Sequence, residues 1–345
     1  MSAISAFPSL SQTPALPQTP PPASPKGAGI VACVDCTDRN AWVYPHALAL
    51  ATTLDVPITL LQVLDGDTSP GTRPDPVEYN LRRREALRAL DRCAAAAEGP
   101  SAQTSIALAE GPTADEICRV VRDCDDGMVV LGRRGRQETG GSGMGGTVQK
   151  VLSQAPGPVL LVPVEAPVPA HGYRRIVVPL DGSRWAESVL PLAARLARAA
   201  DAELLLVHVV PAPEMIEARP MEIEDKRLRQ SVIERNEDAA RNYLDRTKSN
   251  LSASGLRVRA ISTRADDVRE ALSDLIQREG ADLAVLSARG HSHQHVSDVP
   301  YGTVASYLMA HCNVPMLVTP ATNHAAQTPL STGNNSIRLP SATQA

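Results

Sequence analysis

Aromatic residues are scarce in this 345-residue chain, at 3% of the sequence, with one Phe and two Trp. So few rings weigh against the stacking platforms that bind carbohydrates or single-stranded nucleic acids. An excess of one charge is also missing, because the net charge is −4 and acids and bases are mixed along the chain. We therefore expect neither a nucleic acid nor an anionic membrane as a partner.

The sequence also lacks an apolar run long enough to span a bilayer. Its N-terminus has no basic segment followed by an apolar core, as a secretory signal would, and six cysteines are too few for a disulfide scaffold in this length. These absences predict a protein of the reducing cytoplasm with no membrane partner. The hydrophobic content of 43% is sufficient for two or more cores.

The two ends of the chain differ from its middle. Residues 1–27 are rich in Pro, Ser and Ala and contain one charged residue, Lys26, while residues 321–345 are polar and aperiodic. Such segments bury too little apolar surface to fold. We predict a disordered Pro-rich arm at residues 1–27 and a disordered tail at residues 321–345.

The middle of the chain contains an internal repeat. The segment GIVACVDCTDRNAWVYPHALALA resembles RRIVVPLDGSRWAESVLPLAARLA, and GGTVQKVLSQAPGPVLLVP resembles YGTVASYLMAHCNVPMLVTP. An offset of 146 residues relates Asp35 to Asp181, Pro45 to Pro191, and Val63 to Val209. The offset grows to about 156 in the later pair, which predicts an insertion in the charged helical stretch Met221–Leu251 of the second copy.

Each copy alternates apolar strands with helical patterns. Continuous apolar runs such as LLLVHVV and PVLLVP are typical of strands buried on both faces of a sheet. The alternation predicts an α/β fold of two tandem doubly wound domains, each a five-stranded parallel sheet in the order 3-2-1-4-5 with helices on both faces. We place the first domain at residues 28–166, a linker at residues 167–171 and the second domain at residues 172–320.

A glycine-rich loop follows the fourth predicted strand of the first copy. Ligands of open parallel sheets bind beyond the carboxyl ends of the strands where the strand order reverses, so this loop and Asp35, which ends the first strand, should meet. The stretch GSGMGG fits a dinucleotide fingerprint but follows the wrong strand, and Thr147 stands where a Walker loop requires lysine. A better match pairs Gly132 with Gly135, and Gly146 with the Thr147 that opens a helix.

The physical chemistry of this pattern suits a phosphate. Glycines let backbone N–H groups approach a phosphate without a Cβ clash, and a helix N-terminus adds unpaired donors and the positive end of a dipole. The hydroxyl of Thr147 either donates to the ligand or caps the helix. Positive potential is added by Arg133, Arg134 and Arg136.

With this loop and the repeated domain pattern, residues 28–320 resemble a tandem universal stress protein. In that family the loop G-x2-G-x9-G-[S/T] binds ATP, whereas the spacer here holds ten residues, one more than usual. The resemblance implies that the ribose and phosphates of ATP contact Leu131, Gly132, Gly135, Gly146, Thr147 and Val148. It also implies that Asp35 lies near the ribose or a phosphate-bound metal such as Mg²⁺, and that the backbone of Val63 faces the adenine.

The second copy keeps a different part of the family pattern. Its first strand ends as VPLDGS with Pro179 and Asp181 in place, whereas the first copy has Cys33 for the proline and Cys36-Thr37 for Gly-Ser. The loop of the second copy has Ser287 for the first glycine, and Asp298 in its spacer would repel a phosphate. We therefore favour ATP in the first copy. The candidate set of the second copy is completed by Val209, Gly290, Gly302 and Thr303.

Three other clusters have competing interpretations. The stretch Cys33–Cys36 is either a redox pair or two inert thiols, and we favour inert thiols because Cys33 should point into the core. The alternating His291, His293 and His295 form either a metal site or a polar loop, and we favour the loop. The acid pairs are loop or helix-start residues rather than metal ligands, namely Asp125-Asp126 and Asp266-Asp267. We predict no metal site and no catalytic residue.

The function that follows is an ATP-binding regulatory protein of the stress response, with slow or no hydrolysis. Neither DCTDRN nor DGSRWA is the SGGxDS or HxGH motif of adenylating enzymes with this topology. The alternatives are a module that binds no nucleotide and acts through a partner or self-association, and a weak ATPase. We expect the two domains to form an intramolecular pseudo-dimer through their last strands, PVLLVP and PMLVTP, and a homodimer is a further option.

Overall fold

The computed structural model describes residues 29–34, 42–64, 75–95, 103–124, 126–133, 144–164, 166–170, 172–213, 223–290 and 301–320. The first half contains β1 (Ile30–Cys33), α1 (Val43–Leu54), β2 (Ile58–Leu64), α2 (Pro76–Ala95), β3 (Thr104–Glu110), α3 (Thr113–Arg122), β4 (Met128–Arg133), α4 (Gly146–Gln154) and β5 (Val159–Pro163). The second half contains β6 (Arg175–Pro179), α5 (Arg184–Glu187), α6 (Leu190–Ala199), β7 (Glu203–Pro211), α7 (Ile223–Ser252), β8 (Arg257–Ala265), α8 (Val268–Arg278), β9 (Leu283–Ser287), α9 (Thr303–His311) and β10 (Met316–Thr319).

The ten strands form one sheet in the order β3-β2-β1-β4-β5-β10-β9-β6-β7-β8. The predicted order 3-2-1-4-5 is confirmed, since the first half reads β3-β2-β1-β4-β5 and the second half follows the same order from the opposite edge. All pairs inside each half are parallel, and the one antiparallel pair joins β5 to β10. The predicted contact through the last strands is therefore confirmed. We call this β5–β10 junction the seam.

Two hydrophobic layers cover the sheet, one on each face. Alternate residues of β1 divide between them, because Val31 lies in one layer and Ile30 and Ala32 lie in the other. The first layer packs α3, α4, α8 and α9 on the sheet, and the second packs α1, α6 and parts of α2 and α7. Each layer contains residues of both halves, so the cores are continuous across the seam.

The halves differ most in the helix that follows their second strand. Helix α7 has 30 residues, and its counterpart α2 has 20. This difference lies in the charged stretch where the growing offset predicted an insertion. Within the described part of the chain, no helix combines the length and apolar character that crossing a membrane requires.

Candidate functional site

The site predicted from the sequence lies at the carboxyl edge of the sheet. In the first half β1 pairs with β4, so the ends of these strands are neighbours at the point where the strand order reverses. In the second half β6 pairs with β9 in the same way. Helices α4 and α9 begin just after these edges, at Gly146 and Thr303 respectively. In the second half, the hydrogen bond from the Gly302 N–H to the Ala288 carbonyl at 2.8 Å places the start of α9 at the end of β9.

The N-terminus of α4 is open. Its N-cap residue, Gly145, has extended backbone and provides no side-chain cap, so the first N–H groups of the helix lack the partner that a cap would supply. Gly146 and Thr147 are exposed, and no atom of the described residues lies within 4 Å of the place that a Cβ on Gly146 would occupy. Val148 is buried and anchors the helix on the core. An anion can therefore approach these donors.

Three further predicted residues of the first half lie at the same edge. Leu131 is buried in the sheet, and Gly132 follows it on β4 opposite Val162 of β5. Val63 is half-buried near the end of β2. The predicted contacts of Asp35, Arg134 and Gly135 lie outside the described residues, as do the neighbouring Cys36 and Arg136.

Arg133 occupies a different place from the one expected. Its side chain is 6% exposed, and its guanidinium donates hydrogen bonds to the carbonyls of Ala310 at 2.7 Å and Cys312 at 2.5 Å. These carbonyls belong to the C-terminal end of α9 in the second half, where a cation is favoured by the helix dipole. Burial lowers the pKa of Arg133. We therefore assign Arg133 to the seam and leave it out of the ATP contacts.

In the second half, Asp181 begins a tight turn after β6. Its Oδ1 accepts the backbone N–H of Ser183 at 2.9 Å, and Gly182 between them has φ of +75°, a conformation that favours glycine. The Ser183 hydroxyl then accepts the N–H of Ala186 at 3.1 Å and caps α5. The other carboxylate oxygen of Asp181 lies 2.6 Å from where a Cβ on Gly290 would be. The acid and this loop glycine are thus in direct contact.

The remaining predicted residues of the second half surround this contact. Pro179 ends β6, Val209 is buried on β7, and Ser287 ends β9 with 9% exposure. The Ser287 hydroxyl accepts the N–H of Arg289 at 3.3 Å, so serine occupies part of the space that a glycine would leave. Gly302 donates its N–H to the Ala288 carbonyl at 2.8 Å, and the exposed Thr303 begins α9.

Sequence reasoning missed His208 on β7. Burial lowers the pKa of His208, and the charge of Asp181 opposes that shift. Its ring lies 6.0 Å from the Tyr243 ring in an edge-on arrangement, and its Nδ1 has no hydrogen-bond partner among the described residues. The repeat carried a signal, since His208 stands at the position of Gln62, one residue before the paired Val63 and Val209.

Of the cysteine, acid-pair and histidine clusters, some residues lie within the described parts of the chain and others lie outside them. Burial raises the pKa of the Cys33 thiol, in keeping with an inert cysteine. Asp267 accepts the N–H groups of Arg269 and Glu270 and caps α8, which confirms its prediction as a helix-start residue. His291, His293, His295 and Asp298 lie outside the described residues, as does Asp125. Within the described ranges, no group of three or more His, Cys, Asp or Glu is arranged to hold a metal ion.

Comparisons with known proteins agree with this architecture. The chain matches the model of the universal stress protein family over residues 29–163 and 172–320. A universal stress protein from Archaeoglobus fulgidus DSM 4304 superposes with a TM-score of 0.59 at 17% identity, covering 84% of this chain and 97% of that chain. A functionally unknown protein from Pseudomonas aeruginosa PAO1 superposes with a TM-score of 0.55 at 15% identity, covering 84% and 91%. At such low sequence identity, the structural similarity shows a shared fold and no more. A comparison with curated proteins returns no match.

Proposed function

Because the chain belongs to the universal stress protein family, we propose that it binds ATP at the carboxyl edge of its sheet, with the first half as the stronger site. The observation that carries the proposal is the open N-terminus of α4. Gly145 offers no side-chain cap, and no described residue fills the space beside Gly146 in front of the first N–H groups. A phosphate placed there gains several backbone donors and the positive end of the helix dipole.

The remaining contacts of the proposed ATP are assigned from the residues at the carboxyl edge of the first-half sheet. The phosphates and ribose would lie against Leu131, Gly132, Thr147 and Val148, with Gly135 completing the loop. The backbone of Val63, near the end of β2, would face the adenine. Asp35 is proposed beside the ribose or a nucleotide-bound Mg²⁺, and no other part of the proposal depends on the metal.

The second half supports a weaker site. Among the described residues, the atoms nearest to a Cβ on Gly302 lie 3.9 Å away, so the start of α9 also has space for a ligand. However, the Ser287 side chain takes up space at the end of β9, where the first half has Gly132 at the equivalent position. The spacer of the second half also contains Asp298, which would repel a phosphate, and at roughly 8 Å this repulsion costs about 2 kcal/mol at an effective dielectric near 20. We therefore rank the first half above the second.

The proposed role is regulatory binding in a stress response rather than turnover. Steady-state phosphate release from ATP should stay near the uncatalysed background. A phosphate-release rate that is well above background in the parent and disappears in Gly146→Val would favour the weak ATPase instead. A parent that has no affinity for ATP even at millimolar concentration would favour a module that acts through a partner or self-association.

The test compares Gly146→Val with its repeat counterpart Gly302→Val. Neither glycine has positive φ, and in the described parts of the chain no atom lies closer than 3.9 Å to the new Cβ at either position, so both variants should fold. In the first half valine obstructs the phosphate, and losing two charge-assisted hydrogen bonds of about 1.5–3 kcal/mol each should weaken binding about a hundredfold or more. Gly302→Val should change ATP affinity much less.

Titration calorimetry with ATP measures both variants against the parent, and circular dichroism verifies their folding. If Gly302→Val abolishes binding while Gly146→Val retains it, the ranking of the two halves is wrong. If both variants bind as tightly as the parent, the helix N-termini are not the phosphate site.

A further inference from the structure

The two halves have different side chains at one pair of equivalent positions beside the seam. The 146-residue offset that pairs Asp35 with Asp181 also pairs Trp42 with Ser188. In the last strands, Pro158 and Pro315 are equivalent, an offset of 157, which pairs Val162 with Thr319. In the second half, Ser188 therefore stands at the position of Trp42, and Thr319 stands at the position of Val162.

In the first half this position is filled by an aromatic side chain. The Trp42 indole donates its Nε1–H to the Val162 carbonyl at 3.3 Å, which holds the ring against the end of β5. His46 and Tyr173 lie on the same face of the sheet, are 0% and 2% exposed, and share a hydrogen bond of 3.1 Å. The first-half side of the seam is thus closed by rings.

In the second half the same position borders a groove of about 580 Å³. Ser188 and Thr319 line it, where the other half has an indole and a valine. The Ser188 hydroxyl donates to the Trp185 carbonyl at 2.6 Å, whereas the buried Thr319 Oγ1 has no partner among the described residues. This volume lies in the range of about 300–1,000 Å³ that is typical of small-molecule sites.

The walls of the groove come from both halves and combine apolar with cationic groups. Met128 and Pro158 face it from the first half, and Leu192 faces it from α6 of the second. Two arginines complete it, Arg122 at the end of α3 and Arg195 on α6. Neither arginine forms an ion pair with any described residue.

Among the described residues, the lining of the groove carries a net positive charge. Arg122 uses its Nε–H on the Cys118 carbonyl at 3.1 Å, which leaves its terminal N–H groups for another acceptor. The exposed Asp126 carries the negative charge of the lining, so two cations face one anion. A ligand with one negative charge would balance the described lining.

We propose that this seam groove binds a small planar aromatic anion, with a ring about the size of an indole and one carboxylate. The ring would occupy the space that Trp42 fills in the other half, between Met128, Pro158 and Leu192. The carboxylate would accept hydrogen bonds from Arg122 and Arg195, the geometry in which guanidinium groups bind carboxylates.

The test uses the full chain and three probes: indole-3-acetate, indole and acetate. Calorimetry should show submillimolar binding of indole-3-acetate, weaker binding of indole and none of acetate. Ser188→Trp reproduces the plug of the other half and should lower the affinity for indole-3-acetate at least tenfold. The paired variant Arg122→Ala/Arg195→Ala changes two exposed residues, so it should fold, lower that affinity about tenfold or more, and leave indole binding unchanged.

Arg235→Ala, on the exposed face of α7 and outside the groove, is the matched control for a lost positive charge and should bind like the parent. The groove meets the first half at its amino edge, through Met128 and Pro158, so an ATP concentration that fills only the first-half site should leave indole-3-acetate binding unchanged. The proposal is overturned if the parent binds no indole-3-acetate at millimolar concentration. It is also overturned if the arginine pair variant, folded by circular dichroism, binds the probe as tightly as the parent.

Discussion

Leu160 of β5 pairs with Leu317 of β10, and these two leucines hold the same position in the repeat. The flanking pairs are symmetric about them, since Val159 pairs with Val318 and Leu161 with Met316. A local two-fold axis that relates the halves therefore passes through the leucine pair. Because the two strands are antiparallel, the carboxyl edge of one half lies beside the amino edge of the other. Residues at the carboxyl edge of one half can thus contact the opposite half directly, as Arg133 does.

The first prediction concerns the buried guanidinium of Arg133. Arg133→Met keeps most of the side-chain volume but removes the hydrogen bonds to the Ala310 and Cys312 carbonyls. We expect the free energy of unfolding to fall by about 2–4 kcal/mol, because two charge-assisted bonds are lost and two carbonyls lose their donor, while relief of the buried charge offsets part of the loss. Urea denaturation measures the change.

Arg119→Met is the control for that measurement. Arg119 is half-exposed and pairs with Glu116 one turn earlier on α3. Exposed pairs of this kind contribute about 1 kcal/mol or less. Equal destabilisation by the two variants would contradict the role of Arg133 in joining the halves.

The second prediction concerns the turn before β5. A Cβ on Gly157 would lie 2.1 Å from the backbone carbonyl oxygen of Gly127, which cannot rotate away as a side chain would. Gly157→Ala should therefore force the two turns apart and lower the free energy of unfolding by about 1–3 kcal/mol or more. Thermal and urea unfolding measure it. Gly145→Ala has open space at its Cβ and should cost about 1 kcal/mol or less, so equal losses would contradict the argument.

The third prediction is a pH dependence of stability through His46. Burial lowers the pKa of this histidine, an effect only partly opposed by the Ala166 carbonyl. The unfolded chain takes up the proton near pH 6.5, whereas the folded chain resists it until lower pH. The stability contributed by neutral His46 is therefore complete above about pH 6.5 and is lost as the pH falls toward the folded pKa, with a slope of at most about 1.4 kcal/mol per pH unit.

Urea denaturation between pH 7.5 and 5 tests this dependence in the parent and in His46→Leu, which introduces the residue of the equivalent position, Leu192. The variant should lose part of the slope. An unchanged slope in His46→Leu would show that another group dominates, with His208 as the next candidate because burial lowers its pKa too.

The fourth prediction is that Cys33 and Cys36 are not a redox switch. Burial and the nearby Cys118 raise the pKa of the Cys33 thiol, so little of the reactive thiolate is present near neutral pH. Alkylation of Cys33 by iodoacetamide, followed by mass spectrometry, should be far slower in the native protein than in urea. ATP affinity should be equal in reducing and oxidising buffer. A redox dependence in the parent that disappears in Cys33→Ser/Cys36→Ser would overturn the prediction.

The architecture was largely determined by the sequence. Apolar strands buried on both faces, such as LLLVHVV, leave few folds other than a parallel sheet covered by helices, and the repeat doubles that sheet. The apolar last strands, PVLLVP and PMLVTP, indicated how the halves join, because an uncovered apolar edge is a site for pairing. The glycine-threonine pairs at Gly146 and Gly302 likewise mark the helix starts that the structure contains.

The direction of individual side chains was decided only by tertiary structure. The sequence does not distinguish an arginine that faces a phosphate from one that, like Arg133, caps a helix of the other half, because both add the same positive charge beside the glycine-rich loop. Residues far apart in sequence, Ser188 and Thr319, border one groove because the seam brings their elements together. Sequence periodicity specifies which face of a strand or helix is buried, but packing between the halves specifies what each buried polar group meets.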